Sequence, residues 1–447
     1  MSLNLSLSLP ALLFRQALGG AGAPAAFTEL TKSGNQAVAA NTAILSFDTA
    51  DRDPLGAYSA GAPTRLTVGP GISWVQLAGA INTSSLGSTT AVMGMSLLKN
   101  GAVVAGGFQH CLRLVTGVQS ICVKSAPLQV VEGDYFELRI DSPDDAAFTI
   151  IPQNLTTLSR TRFTMRDLVD VEGALVELTT SPAQVNSQPL TYDAERYDTD
   201  GMFTAPGTSI NIPAGWTRAE AMAYVDFVST GSTNPTGPVI NYSLAAASAR
   251  IYGLFGSGPN ITLTTGSMGV AEAQFYSFTS QTTDTSYNQG AGSWASVVNT
   301  TDRVGARARI NGDQALNLSL SAAIVFNTEV YDDAGCFDAA GTGRMTIPAD
   351  YSAAEVSWGL STTGTGISGT LGSWCEHRNA AGTLKETFQS STGAGNNVGL
   401  FTAGCTGPIV VEEGDYFTVH PISDDTSATV TNTVSTFFAL ELFGAAE

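Results

Sequence analysis

Positive charge is what this sequence has least of. Across 447 residues, Lys plus Arg number 20 against 39 Asp plus Glu, giving a formal net charge of −19 and a pI near 4.4. Affinity for DNA or RNA rests on clustered Lys and Arg neutralising phosphates, so no nucleic-acid partner is expected. An anionic membrane surface is disfavoured for the same reason. No stretch of 18 apolar residues runs free of Pro, Gly and polar interruptions, so no membrane-crossing helix is expected. Sustained apolar patterning at a period of 3.6 is also missing, so helix should be scarce.

Catalytic signatures are equally thin. The chain has no G-x-S-x-G elbow, no H-E-x-x-H and no Walker A loop. One G-x-G-x-x-G occurs, at Gly364, Gly366 and Gly369, inside a Ser/Thr/Gly-rich stretch with no helix pattern after it, and reads as a surface loop. No pair of carboxylates stands out for glycoside cleavage. We therefore expect a protein that is not an enzyme and carries no cofactor.

What is present is repetition. The stretch VVEGDYFELRI around Gly133 returns as VEEGDYFTVHPI from Val411, each preceded by a proline, Pro127 and Pro408. Gly133-Asp134 and Gly414-Asp415 supply turn chemistry, because Gly reaches positive φ and Asp bonds its own backbone. Tyr135, Phe136, Leu138 and Ile140, like Tyr416, Phe417 and Val419, then read as a strand. Only one ring of each Tyr-Phe pair can face a core. A closing strand containing Leu440 and Leu442 should face the interior as well.

A second repeat lies about 80 residues upstream of each copy's strand. Tyr197, Asp198, Gly201, Phe203 and Ile212-Pro213 match Tyr331, Asp332, Gly335, Phe337 and Ile347-Pro348, and a weaker copy places Phe47, Gly56, Tyr58 and Val68 in the same order. Tyr58 to Phe203 is 145 positions and Tyr197 to Tyr331 is 134, which is the size of a domain rather than of a solenoid repeat. The expected organisation is an arm and linker over 1–26, then β-sandwiches over 27–169, 170–301 and 302–447. The middle one is the most diverged. Its counterpart of the Gly-Asp strand is GVAEAQFYSF from Gly269, with the turn lost.

The run Y-D-x-D-G-x-F-x-A-P from Tyr197 to Pro206, the G-D-Y-F strand and the closing STFFALELFG from Ser435 together resemble the jelly roll of the C1q and tumour-necrosis-factor family. The resemblance implies an all-β fold of two packed antiparallel sheets per domain, and a trimer-prone binding module without catalysis. One departure is Ile212-Pro213-Ala214-Gly215, which replaces the family's tyrosine-rich strand, so the family's oligomer contact does not transfer automatically.

Residues 2–9 alternate strictly, with Leu3, Leu5, Leu7 and Leu9 on one face. No basic residue precedes Arg15, which argues against a signal peptide. Such a row suits a strand-donating arm, on the small-residue linker GGAGAPAA, that adds to a partner's sheet edge. Of the five cysteines, Cys111 with Cys122 and Cys375 with Cys405 are candidate disulfides across neighbouring strands, with buried free thiols as the open alternative; Cys336 has no evident partner. Cys375 and His377 share a strand face, but no further zinc ligands are in sight, and turn chemistry accounts for Asp48, Asp51, Asp53, Asp144 and Asp145 without calcium. No metal site is assigned. An acidic chain of tandem jelly rolls with an apolar arm resembles a surface protein of a tailed phage or phage-like particle: a head spike, decoration protein or fibre, homo-oligomeric, anchored to other virion proteins by its arm and contacting host-surface glycans. The competing expectations are a secreted glycan-binding adhesin and a glycan depolymerase.

Overall fold

A computed structural model describes residues 26–445, apart from the short stretches 39–40, 85–91, 114–118, 143–147, 155–157, 186–187, 229–236, 245–246, 253–259, 273, 282–285, 316–321, 339–341, 364–369, 390–392, 395–399, 424–428 and 434. All regular structure among the described residues is β. The strands that recur in every repeat begin with β1 Phe27–Thr31, β2 Leu66–Thr67, β3 Trp74–Thr83, β4 Val92–Lys99, β5 Gln109–Arg113, β6 Gln119–Lys124, β7 Tyr135–Ser142 and β8 Arg162–Asp167. Next come β9 Gly173–Glu177, β10 Ser209–Asn211, β11 Arg218–Val228, β12 Gly237–Leu244, β13 Ala247–Tyr252, β14 Asn260–Gly269, β15 Phe275–Gln281 and β16 Trp294–Asn299. The last set is β17 Val304–Arg309, β18 Met345–Thr346, β19 Tyr351–Thr363, β20 Thr370–Arg378, β21 Leu384–Gln389, β22 Leu400–Cys405, β23 Tyr416–Ser423 and β24 Phe437–Ala445. Shorter strands extend the edges.

Each set forms two antiparallel sheets with one order. In the first, β1-β8-β3-β6 makes one sheet and β2-β7-β4-β5 the other. Adding eight to each label gives the second set, and adding sixteen gives the third. This is the jelly-roll order, in which consecutive strands mostly alternate between sheets. Each core lies between the two sheets of its set.

Local chemistry explains why the sequence repeats where it does. Gly133 and Gly414 adopt φ of 88° and 78°, and the next residue caps the same turn: the Asp134 carboxylate accepts from Val131 N–H at 3.0 Å, and that of Asp415 from Glu412 N–H at 3.0 Å. Period two then sends Phe136 and Phe417 into the cores, fully buried, while Tyr135 and Tyr416 face out beneath Arg65 and Arg344. The diverged middle copy keeps its strand, with Tyr276 and Phe278 buried. The upstream repeat is a carboxylate-capped turn as well. Asp53 accepts from the N–H groups of Ala57 and Tyr58, Asp198 from Met202 and Phe203, and Asp332 from Cys336 and Phe337. Gly56, Gly201 and Gly335 supply the positive φ between them.

The three sandwiches pack as a closed ring. Ala126, just after β6, rests on Leu175, Met222, Tyr224 and Trp294 of the second sandwich. Gly266, its counterpart on β14, meets Ser357, Phe437 and Ala439 of the third, and Gly407, after β22, returns to Ala78 and Thr164 of the first. The same cyclic step is taken three times. The residue before each small one is a hydroxyl with one job: Ser125, Thr265 and Thr406 accept from the N–H groups of Leu77, Ala221 and Val356 at 3.0, 2.9 and 3.0 Å. Small residues let the backbones approach closely, so a pseudo-threefold axis runs between β6, β14 and β22.

Candidate functional site

Where the sandwiches meet, the fold buries charge as well as apolar surface. Lys124, the last residue of β6, pairs with Glu220 of β11 at 2.7 Å and also with Glu355 of β19. Arg166 of β8 lies 3.9 Å from Glu355 and 2.7 Å from Glu441 of β24. Arg303, at the joint before β17, lies 2.9 Å from Glu441 and 4.0 Å from Glu220. Three cations and three carboxylates thus alternate around a closed ring that draws on every sandwich.

Their order follows from register. Gln76, Glu220 and Glu355 occupy one position of the three sandwiches, as do Arg166, Val298 and Glu441, and also Lys124, Thr264 and Cys405. Burial works against the Lys124 ammonium, but Glu220 and Glu355 outweigh it and raise its pKa above the ordinary value. Burial likewise opposes the Glu441 carboxylate, and Arg166, Arg303 and Lys124 outweigh it and hold its pKa below the usual range. A second buried pair joins Arg162 to Glu386 across the seam between the first and third sandwiches, with the guanidinium 4.8 Å above the Phe388 ring. Arg307 answers the second sandwich differently, donating to the carbonyls of Thr265 and Ser267 at 2.9 and 2.8 Å; burial pushes its pKa down to about 10.

Beside the ionic ring is a small cavity lined by Cys122, Lys124, Met222, Thr264, Ala403 and Cys405. Cys122, Cys375 and Cys405 are free, buried thiols. Of the two alternatives, these three cysteines follow that of buried free thiols. β5, which carries Cys111, and β6, which carries Cys122, belong to opposite sheets, and so do β20 with Cys375 and β22 with Cys405. The jelly roll switches sheets between these strands, so cysteines close in sequence are not on neighbouring strands. The Cys111 side chain lies outside the described residues.

Cys375 and His377 do share a face, but the thiol packs in the core while His377 Nε2 sits 2.8 Å from Asp415, whose carboxylate also accepts from Lys385 at 2.9 Å. Among the described residues, no three His, Cys, Asp or Glu side chains converge as a metal site. The opposite face of that sheet carries a cluster that the sequence pattern did not reveal. Trp374 stacks on His420 with ring centroids 5.4 Å apart, and Glu376 lies 3.3 Å from His420 Nε2. Burial opposes the Glu376 carboxylate, but hydrogen bonding and charge from His420, with Arg378 and Trp374, hold its pKa at about 2. The register Trp374–His420 and Glu376–Thr418 across β20 and β23 assembles it, which strand pairing decides and sequence spacing does not. Leu3, Leu5, Leu7 and Leu9, the glycines 364, 366 and 369, and Asp144 and Asp145 lie outside the described residues.

No family model matches the chain, and no curated protein matches it. Among solved structures it is similar to an Eiger TNF from S. frugiperda (12% identity, TM-score 0.25), covering 32% of this chain and 95% of that one. The globular domain of zebrafish complement 1qA matches at 15% identity and TM-score 0.24, over 32% of this chain and 96% of that chain. Murine APRIL matches at 11% identity and TM-score 0.23, over 32% and 99%.

Proposed function

We propose that this chain is a non-catalytic surface protein of a tailed phage or phage-like particle, a spike, decoration protein or fibre head anchored by its N-terminal arm. The observation that carries the reading is where the chain enters and leaves the ring. Phe27, the first residue of β1, meets Phe443 of β24 edge to face at 6.4 Å, and Asp167 N–H donates to Ala26 O. The joints at 168–172 and 300–303 lie at the same end, because β1, β9 and β17 each start opposite the last residues of β8, β16 and β24. From that end β3, β11 and β19 run away and finish at Thr83, Val228 and Thr363. A chain that enters at one end of the head, with β3, β11 and β19 finishing at the other, is the arrangement an anchored attachment protein needs.

In this reading Leu3, Leu5, Leu7 and Leu9 add to other virion proteins, and burying each side chain contributes about 1.5–3 kcal/mol. The ring closes within one chain, so self-association runs through the arm and not through the sandwich seams. Trp374, half-buried and stacked on the buried His420 ring, supports contact with a host-surface glycan, since sugars present an apolar ring face. The same contact would serve a secreted adhesin equally well. The test is deletion of residues 1–18. The truncated chain should unfold at the wild-type midpoint yet fail to co-purify with particles. Particle occupancy equal to wild type would overturn the anchoring role.

A further inference from the structure

Two of the three seams in the ring are between sandwiches that the chain already joins, through 168–172 and through 300–303. The seam between the first and third has no covalent connection. It is here that β6 and β22 lie against each other. Period two puts Cys122 on the same face of β6 as Lys124, and Ala403 on the same face of β22 as Cys405, so both thiols are directed to the axis. Both line the axial cavity, both are free, and both are buried.

We propose that Cys122 and Cys405 form a redox modification site, in which a small two-electron oxidant of the peroxide class converts the pair into a disulfide that covalently closes the ring. One thiolate attacks a peroxide oxygen, giving a sulfenic acid and, after protonation, water. The second thiol then attacks that sulfur and a second water leaves, so two thiols and one hydrogen peroxide yield one disulfide and two waters. The neighbouring Cys122 thiol, followed by burial, holds the Cys405 thiol well above its ordinary pKa. Cys405 thiolate is therefore scarce at neutral pH, and its attack on peroxide is faster in alkali.

The experiment treats the folded full chain with hydrogen peroxide, alkylates the remaining thiols and maps the digest by mass spectrometry. The expected result is loss of two of the five thiols, one cross-linked species joining the Cys122 and Cys405 peptides, and an unfolding midpoint several degrees higher that dithiothreitol reverses. Cys122→Ser and Cys405→Ser should each abolish the cross-link and the shift. Links from Cys122 to Cys111 or Cys375, a Cys375–Cys405 link, or conversion of these thiols only to sulfinic acid would overturn the proposal.

Discussion

Inside the sandwiches, one position on β7, β15 and β23 holds Phe136, Tyr276 and Phe417, all buried, whereas one position on the axis holds Lys124, Thr264 and Cys405. The cores tolerate exchange so long as volume is kept. The cross-strand pair Gly79–Val123 in the first sandwich becomes Trp358–Gly404 in the third, where a Cβ on Gly404 would collide with the indole. The seams tolerate no such averaging, because their residues work only in combination: Lys124 needs Glu220 and Glu355 from the other two sandwiches. Three identical modules would place three like charges at that position. Tandem copies on one chain can diverge, and the divergence specifies which sandwich packs against which.

The largest effect that sharpens this contrast is expected in a core. Phe417→Ala should destabilise by about 3–5 kcal/mol, while Tyr416→Ala, one residue away but half-buried beneath Arg344, should cost only about 0.5–1 kcal/mol. Urea unfolding of both variants would check it. Equal losses would break the assigned strand faces.

Next in size is the axis. Lys124→Met leaves two buried carboxylates without their shared cation and should cost about 3 kcal/mol. The double replacement Lys124→Met, Glu355→Leu should recover most of that loss, because it leaves Arg166, Glu441, Arg303 and Glu220 as a charge-balanced chain and puts apolar groups in place of the removed pair. If the double variant is less stable than Lys124→Met, the ring contributes net stability and not merely order.

Acid gives the smallest shift at first. The folded Glu441 carboxyl is held below its ordinary 4.5, so its contribution is complete above that value and is lost as pH falls below it. Glu376, at about 2, follows the same sign. Glu29 runs the other way, because burial raises its pKa and protonation relieves the strain. The seams should therefore loosen before the cores as pH drops below about 4.5. Fluorescence of Trp294, whose Nε1 donates to Gly107 O across a seam at 2.9 Å, should change before the β-sheet circular dichroism does. Coincident transitions would show that seams and cores titrate as one unit.

Much of the architecture can be read from the chain alone, because its signals are local. A Gly-Asp step before alternating aromatics makes its own capped turn and strand, and an Asp four and five residues before two N–H groups makes its own loop. Recurrence of these motifs at domain spacing announces three sandwiches, even where Gly269 to Phe278 has lost the Gly-Asp step and Gln274 caps the turn instead, accepting from Ala271 N–H at 2.7 Å. The ionic ring and the thiol pair left no such trace. Their members, from Cys122 to Glu441, come from strands hundreds of positions apart and share no spacing, so only strand register and the docking of one sandwich on the next could bring them together. Sequence proximity even misdirected the cysteines, pointing Cys122 to Cys111 and Cys405 to Cys375, because a jelly roll sends successive strands to opposite sheets. Local backbone chemistry was thus determined by the sequence itself, while the buried charges acquired their partners only in the tertiary structure, where desolvation makes pairing obligatory.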